Sequence, residues 1–294
     1  MIVDAPPNRR TLAAFLLAVV LGGVNFVGVR YSNQELEPIW GAGLRFGLAA
    51  VVFALLCAAL RLSLPRGRAL ALVVAYGLVG FGLAYGALYW AMQEAPAGIA
   101  AVVLAVGPLL VLLLAVLQRL ERFSVRALVG AVIALAGSAL MFLEPGEADV
   151  RWTSFALLGL AALAASESVV VSKLAGPLHP MAMNLVGMTA GAVALLAVAA
   201  LSGEELALPR ETDTQLAVAY LVAATVGMFL CILYVVQRWT ASATAYTFVS
   251  MPIVAVIAGA IALDEDVTAA VVAGGAIVVA GVYVGALSRR PARV

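Results

Sequence analysis

Charge is scarce in this 294-residue chain: 11% of its residues are Asp, Glu, Lys or Arg, while 65% are hydrophobic and the mean hydropathy is +1.10. A water-soluble domain carries about 25% charged residues, so the deficit points to lipid as the solvent. Histidine is nearly missing, with His179 the single copy. That excludes a histidine-based metal site or catalytic triad. The two cysteines, Cys57 and Cys231, lie in apolar runs with no second ligand at metal spacing. They read as small buried apolar residues. A net charge of +1 leaves no basic field for nucleic acid. There is no Gly-x4-Gly-Lys-Ser/Thr loop, hence no ATPase of the chain's own, and no paired acid and base stands out.

Long apolar runs are what the chain does have. A membrane helix needs about 20 mostly apolar residues. Ten segments qualify: Thr11–Val29, Pro38–Leu60, Ala69–Met92, Ala97–Leu117, Ala127–Leu143, Trp152–Leu174, Met181–Leu201, Leu216–Val236, Ala241–Leu263 and Val267–Leu287. The first follows Arg9 and Arg10 but is longer than the 7–15 residues of a signal core, and it reads as a retained helix. The connections are short and leave no room for a soluble domain.

Orientation follows from basic residues near span ends. With the N-terminus in the cytoplasm, 13 of the 17 Lys and Arg residues fall inside, Arg30, Arg151 and Arg210 fall outside, and Arg45 lies within a span. Both termini are therefore expected in the cytoplasm, and the chain in the inner membrane. Trp40, Trp90, Trp152 and Trp239 sit near span ends, where interfacial anchoring is expected.

The halves of the sequence repeat. Pro108, Glu121, Ser124, Gly130 and Gly137 recur 144 positions later as Pro252, Glu265, Thr268, Gly274 and Gly281. Ser124 and Thr268 are suited to cap the helix that follows. The paired glycines, seven apart, share one helix face and permit close helix approach. Leu36-Glu37-Pro38 matches Leu178-His179-Pro180 at a separation of 142, each proline opening a helix. That register pairs Asn25 with Glu167. Five spans per repeat, an odd number, force the second copy to insert upside down. The basic loop Arg119-Leu120-Glu121-Arg122 accordingly has the acidic counterpart Leu263-Asp264-Glu265-Asp266. The expected fold is thus an all-α membrane protein of ten transmembrane helices, as two inverted five-helix repeats over residues 1–147 and 148–294. Inverted repeats are characteristic of secondary transporters, with the substrate near the midplane.

Two copies of a helix ending in Glu, then Ser or Thr, then a Gly-x6-Gly helix resemble the EamA-type repeat of the drug/metabolite transporter superfamily. Gly23-Val24-Asn25-Phe26-Val27 and Leu44-Arg45-Phe46 resemble that family's first and second helices, and the resemblance covers essentially the whole chain. It implies an exporter or permease of amino acids, nucleotides, sugars or related metabolites, without a prosthetic group. The size and layout also look like the bacterial aromatic amino-acid exporters of this superfamily. Two positions depart: Gly22 stands where the family often has Trp, and Ser166-Glu167-Ser168 where it is commonly aromatic.

Ionisable groups within a span cost roughly 2.5–3.5 kcal/mol on insertion scales and mark function by default. Glu167 is a candidate to bind a substrate ammonium or relay protons, with a structural pairing to Arg45 or a serine as the alternative. Arg45 is a candidate for the same cavity or for holding helices together. Asn25 and Glu167, as repeat mates, are expected to converge on the pseudo-axis, lining a pathway or bonding each other. Phe81, Tyr85 and Tyr89 fall on one helix face, as do Tyr246 and Ser250, and can stack on substrate or simply pack. Pro108 and Pro252, mid-span, are expected to kink their helices, as gates or as static bends.

The expected substrate is an amino acid or related metabolite, handled by a monomer in contact with lipid, with no metal or cofactor and no nucleic acid. A membrane enzyme would need His, Asp or Arg clustered at one face, which this chain lacks. A non-transporting assembly subunit would have an apolar centre without Asn25, Glu167 or Arg45.

Overall fold

In the computed structural model, residues 7–92, 95, 97–142, 151–263 and 267–287 are described. They form helices and connections, with no strand among them. The helices are α1 (Arg9–Ser32), α2 (Pro38–Ala59), α3 (Gly67–Gly77), α4 (Ala84–Ala91), α5 (Ala97–Leu104), α6 (Gly107–Leu117), α7 (Val125–Phe142), α8 (Trp152–Leu174), α9 (Pro180–Ser202), α10 (Thr212–Arg238), α11 (Ala241–Leu263) and α12 (Ala269–Val282). Wider π-turns continue two of them, Leu78–Leu83 joining α3 to α4 and Tyr283–Leu287 following α12. Among the described residues nine helical segments are long and apolar enough to cross a membrane, and Val125–Met141 is a shorter apolar helix.

Local chemistry explains the helix ends. Pro38 and Pro180 open α2 and α9, where a missing N–H costs least. The Ser124 hydroxyl accepts from Ala127 N at 3.3 Å, and the Thr268 hydroxyl accepts from Val271 N at the same distance. Both expected caps form. Glu265 and the boundary at residues 147 and 148 lie outside the described residues.

The packing partners pair the halves. α1 lies against α10 and α11, while α8 lies against the α3–α4 segment and α6; α2 meets α9, α6 meets α11 and α7 meets α12. The α7–α12 contact is built on the repeat's glycines. A Cβ on Gly130 would come 2.7 Å from Gly281 O, and one on Gly137 2.7 Å from Gly274 O. Gly130 thus meets Gly281 and Gly137 meets Gly274, so the two helices run antiparallel in backbone contact. Gly22 and Gly23 serve α1 similarly: a Cβ on Gly23 would come 2.7 Å from Met251 O of α11. A tryptophan at Gly22 would have no room.

One sequence expectation needs correction here. Trp239 is 0% exposed, packed edge-on against Phe15 with ring centroids 5.8 Å apart. It is a core residue, not an interfacial anchor; Trp90 and Trp152 are exposed, and half-buried Trp40 donates to Ala207 O at 2.7 Å. The two prolines differ in setting. Beside Pro108 the α-helix is interrupted, with α5 ending at Leu104 and α6 beginning at Gly107. Pro252 sits inside the continuous helix α11.

Candidate functional site

Arg45 lies eight residues into α2, about 10 Å along the helix, and is 4% exposed. Its guanidinium carbon stands 4.6 Å from the Phe46 ring centroid and 5.5 Å from that of Tyr85. The π-turn in the third span brings Phe81 to the same place: Phe81 lies 4.9 Å from Phe46 and 4.8 Å from Phe229 of α10. Phe46 and Tyr85 meet edge-on at 4.8 Å, and Tyr85 and Tyr89 follow at 6.2 Å. The expected face of Phe81, Tyr85 and Tyr89 therefore exists. Phe81 closes its deep end, while Tyr85 and Tyr89 stay half-buried. A π-turn at such a place is a recurrent mark of functional sites.

Asn25 reaches the edge of this region. Its side-chain amide donates to Met228 Sδ at 3.9 Å, next to Phe229, and its Oδ1 has no partner among the described residues. Glu167 goes elsewhere. Both its carboxylate oxygens accept from Gln118 Nε2, at 2.9 and 2.8 Å. The expected pairing of Glu167 with Arg45 or a serine is not made. Nor do Asn25 and Glu167 bond each other. Each lies seven residues before the end of its helix, Ser32 or Leu174.

Tyr246 and Ser250 are also separate. The Tyr246 hydroxyl donates to Ala127 O at 3.0 Å and packs on Gly285, and the Ser250 hydroxyl donates to Tyr246 O at 2.8 Å within its own helix. Tyr246 belongs to a hydrophobic cluster with Phe15, Trp239 and Val282, apart from the one that holds Phe46 and Phe81. It ties α11 to α7 and the end of the last span. Near the break at Pro108, the Ser166 hydroxyl lies 3.4 Å from Gly107 O, while its short bond of 2.7 Å goes to Ala162 O. Pro108 cannot donate to the Leu104 carbonyl.

The two ends of the bundle are fastened by carboxylates on helix N-termini, where the helix dipole favours negative charge. At one end Glu204 accepts from Ile39 N at 3.2 Å and Trp40 N at 2.6 Å, while Glu35 accepts from Arg210 N at 2.6 Å and Glu211 N at 3.2 Å. The α1–α2 and α9–α10 connections are thereby cross-tied. The backbone N–H of Arg210 holds the Glu35 carboxyl below its ordinary range, against a small opposing desolvation. At the other end buried Glu121 accepts from Ala241 N, from Ser242 N at 3.2 Å and from the Ser242 hydroxyl at 2.5 Å. Lys173 donates to Trp239 O nearby.

Sequence reasoning missed Gln118 and Phe229. Gln118 was visible as a polar residue ending an apolar run before Arg119. Phe229, in a span rich in large apolar residues, gave no signal. Among the described residues no cluster of three or more His, Cys, Asp or Glu could hold a metal ion.

A bundle of long apolar helices is the architecture of a multi-pass membrane protein. The sequence profile of the EamA-like transporter family matches this chain twice, over residues 9–143 and 151–286. The chain belongs to that family and is a multi-pass membrane protein of the transporter class. It is 32% identical over 255 residues to the uncharacterized inner membrane transporter YedA of Escherichia coli K12, covering 84% of this chain and 80% of that one. It is 26% identical over 269 residues to an uncharacterized transporter of Archaeoglobus fulgidus, covering 91% and 95%. It is also 26% identical over 274 residues to a probable terminal-alkyne amino-acid exporter of Streptantibioticus cattleyicolor, covering 92% and 91%. A protein of known crystal structure shares the fold at a TM-score of 0.81 and 19% identity, covering 97% of this chain and 99% of that chain.

Proposed function

We propose that the chain is a secondary transporter that exports amino acids or closely related metabolites by alternating access between two inverted five-helix repeats, residues 1–147 and 148–294. It has ten spans, lies in the inner membrane with both termini in the cytoplasm, and works as a monomer without a resident cofactor. The observation that carries this reading is buried Arg45, set against Phe46 of α2 and Tyr85 of the third span. The aromatic cluster around it joins Phe46 and Phe81 of the first half to Phe229 of α10 in the second, so relative motion of the halves would rearrange the surroundings of this cation.

Three further points support it. The family profile matches once in each half. The packing partners of α1 and α8 exchange between halves, and α7 and α12, equivalent in the repeat, cross antiparallel, as inversion requires. One relative carries the name of an amino-acid exporter. The basic residues set the direction of insertion. Pro108 and Pro252 border moving parts of the fourth and ninth spans. The test is transport by the purified protein in liposomes, with a panel of labelled amino acids and sugars, with and without a pH gradient. Saturable movement of amino acids above protein-free liposomes is expected. A panel in which every solute moves at the protein-free rate overturns the proposal.

A further inference from the structure

The charge around Arg45 is unbalanced. Arg45 is 4% exposed, and its Nε has no hydrogen-bond partner. Among the described residues no carboxylate lies in ion-pair contact with it. Glu167, the one other ionisable candidate within a span, is bound through both oxygens by Gln118. Glu35, Glu121 and Glu204 are held by backbone N–H groups at helix N-termini. What faces the guanidinium is aromatic: Phe46 and Tyr85. Aromatic faces stabilise a cation only in part, and a buried charge without a counter-charge is strongly disfavoured. A guanidinium also presents a planar fork of donors that suits a carboxylate in two-point contact.

We infer that Arg45 is an anion-binding residue, and that the solute it takes is a carboxylate with an apolar or aromatic body. The inference deepens the transporter reading above and rests on it. The carboxylate supplies the missing negative charge, and the body of the solute packs against the half-buried Tyr85 and Tyr89 that follow on the third span. The carboxylate is the group recognised. Glu167, bound to Gln118, takes no part in this site. Simple carboxylates without an amino group should therefore bind, and the corresponding amines should not.

The experiment measures equilibrium binding to the purified protein of three related compounds: phenylalanine, 3-phenylpropionate and 2-phenylethylamine. Leucine, 4-methylpentanoate and isopentylamine form a second, aliphatic series. The wild-type protein is expected to bind the amino acid and the acid of at least one series, and the amine at least tenfold more weakly. Arg45→Gln is expected to weaken both carboxylates at least tenfold, and Arg45→Lys to restore part of the affinity. If Arg45→Gln does not fold, the wild-type series and Arg45→Lys decide. An amine that binds as tightly as its acid, full carboxylate affinity in a folded Arg45→Gln protein, or failure of every carboxylate to bind overturns the inference. Counterflow of the same compounds in liposomes separates the two readings. Binding without counterflow leaves the anion site standing and sinks transport of these compounds, whereas counterflow of the amine alone keeps the transporter and removes the anion site.

Discussion

The α7–α12 crossing gives the most quantitative test of the repeat geometry. In Gly281→Ala the new Cβ would lie 2.6 Å from Ala134 N and 2.7 Å from Gly130 O. Both are backbone atoms, so no side-chain rotation relieves the contact. Reaching ordinary contact at 3.4 Å requires the helices to part by about 0.8 Å, which strips neighbouring contacts along the seam. Overpacking of this kind costs about 1–3 kcal/mol. At roughly 2–4 °C per kcal/mol for a chain of this order, the melting temperature of the detergent-solubilised protein should fall by about 2–12 °C. Gly130→Ala meets Gly285 backbone at 2.4 Å and should cost as much. The double variant should cost less than the two together, because one separation of the helices accommodates both methyl groups. Gly159→Ala is the control. It lies in α8 with nothing within 4 Å of the added Cβ, and should be neutral or slightly stabilising. Equal melting temperatures for Gly281→Ala and Gly159→Ala would refute the close crossing.

Removing the charge of Glu121 by Glu121→Gln should lower stability by about 1–2 kcal/mol, since its carboxylate accepts from the N-terminus of α11; a melting curve in detergent checks this. The Glu35 carboxyl is held below its ordinary range by Arg210 N–H. Its contribution is therefore present above the ordinary carboxylate range and is lost as pH falls through the lowered value. Cleavage or labelling in the 203–211 connection should rise with acidification, less so in Glu35→Gln, which lacks the titrating group. For topology, Arg122→Cys should be protected from an impermeant thiol reagent added outside, and Glu205→Cys should react; the reverse pattern would invert the orientation.

The spans were legible because lipid demands long apolar runs, and because Pro38, Pro180, Ser124 and Thr268 act through their nearest neighbours. Features that depend on a distant partner were not. Pro108 and Pro252 occupy equivalent positions, yet only Pro108 breaks its helix; the repeat marks the residue and leaves out its surroundings, such as the Ser166 hydroxyl near Gly107 O. Glu167 has its partner in Gln118, 49 residues away, and no periodicity connects them. Trp239 satisfies the pattern of an interfacial tryptophan but is covered by Phe15 of α1. The π-turn at Leu78–Leu83 gives no period of its own over six residues. Tyr85, Tyr89 and Arg45 were found as types and spacings. That Tyr85 and Tyr89 pack in one cluster with Phe46 and Phe229, while Tyr246 does not, required the packing.

Alternating access is the central claim, and Tyr89 reports on it most directly. In a protein carrying Cys57→Ala and Cys231→Ala, Tyr89→Cys places one thiol beside Tyr85 in the third span. Its reaction with an impermeant thiol reagent is measured from each side of sealed vesicles, with and without a transported amino acid on one side. The account predicts that the resting protein reacts from one side only, and that the solute shifts reaction toward the other. Equal reaction from both sides, or a rate that the solute leaves unchanged, would contradict it.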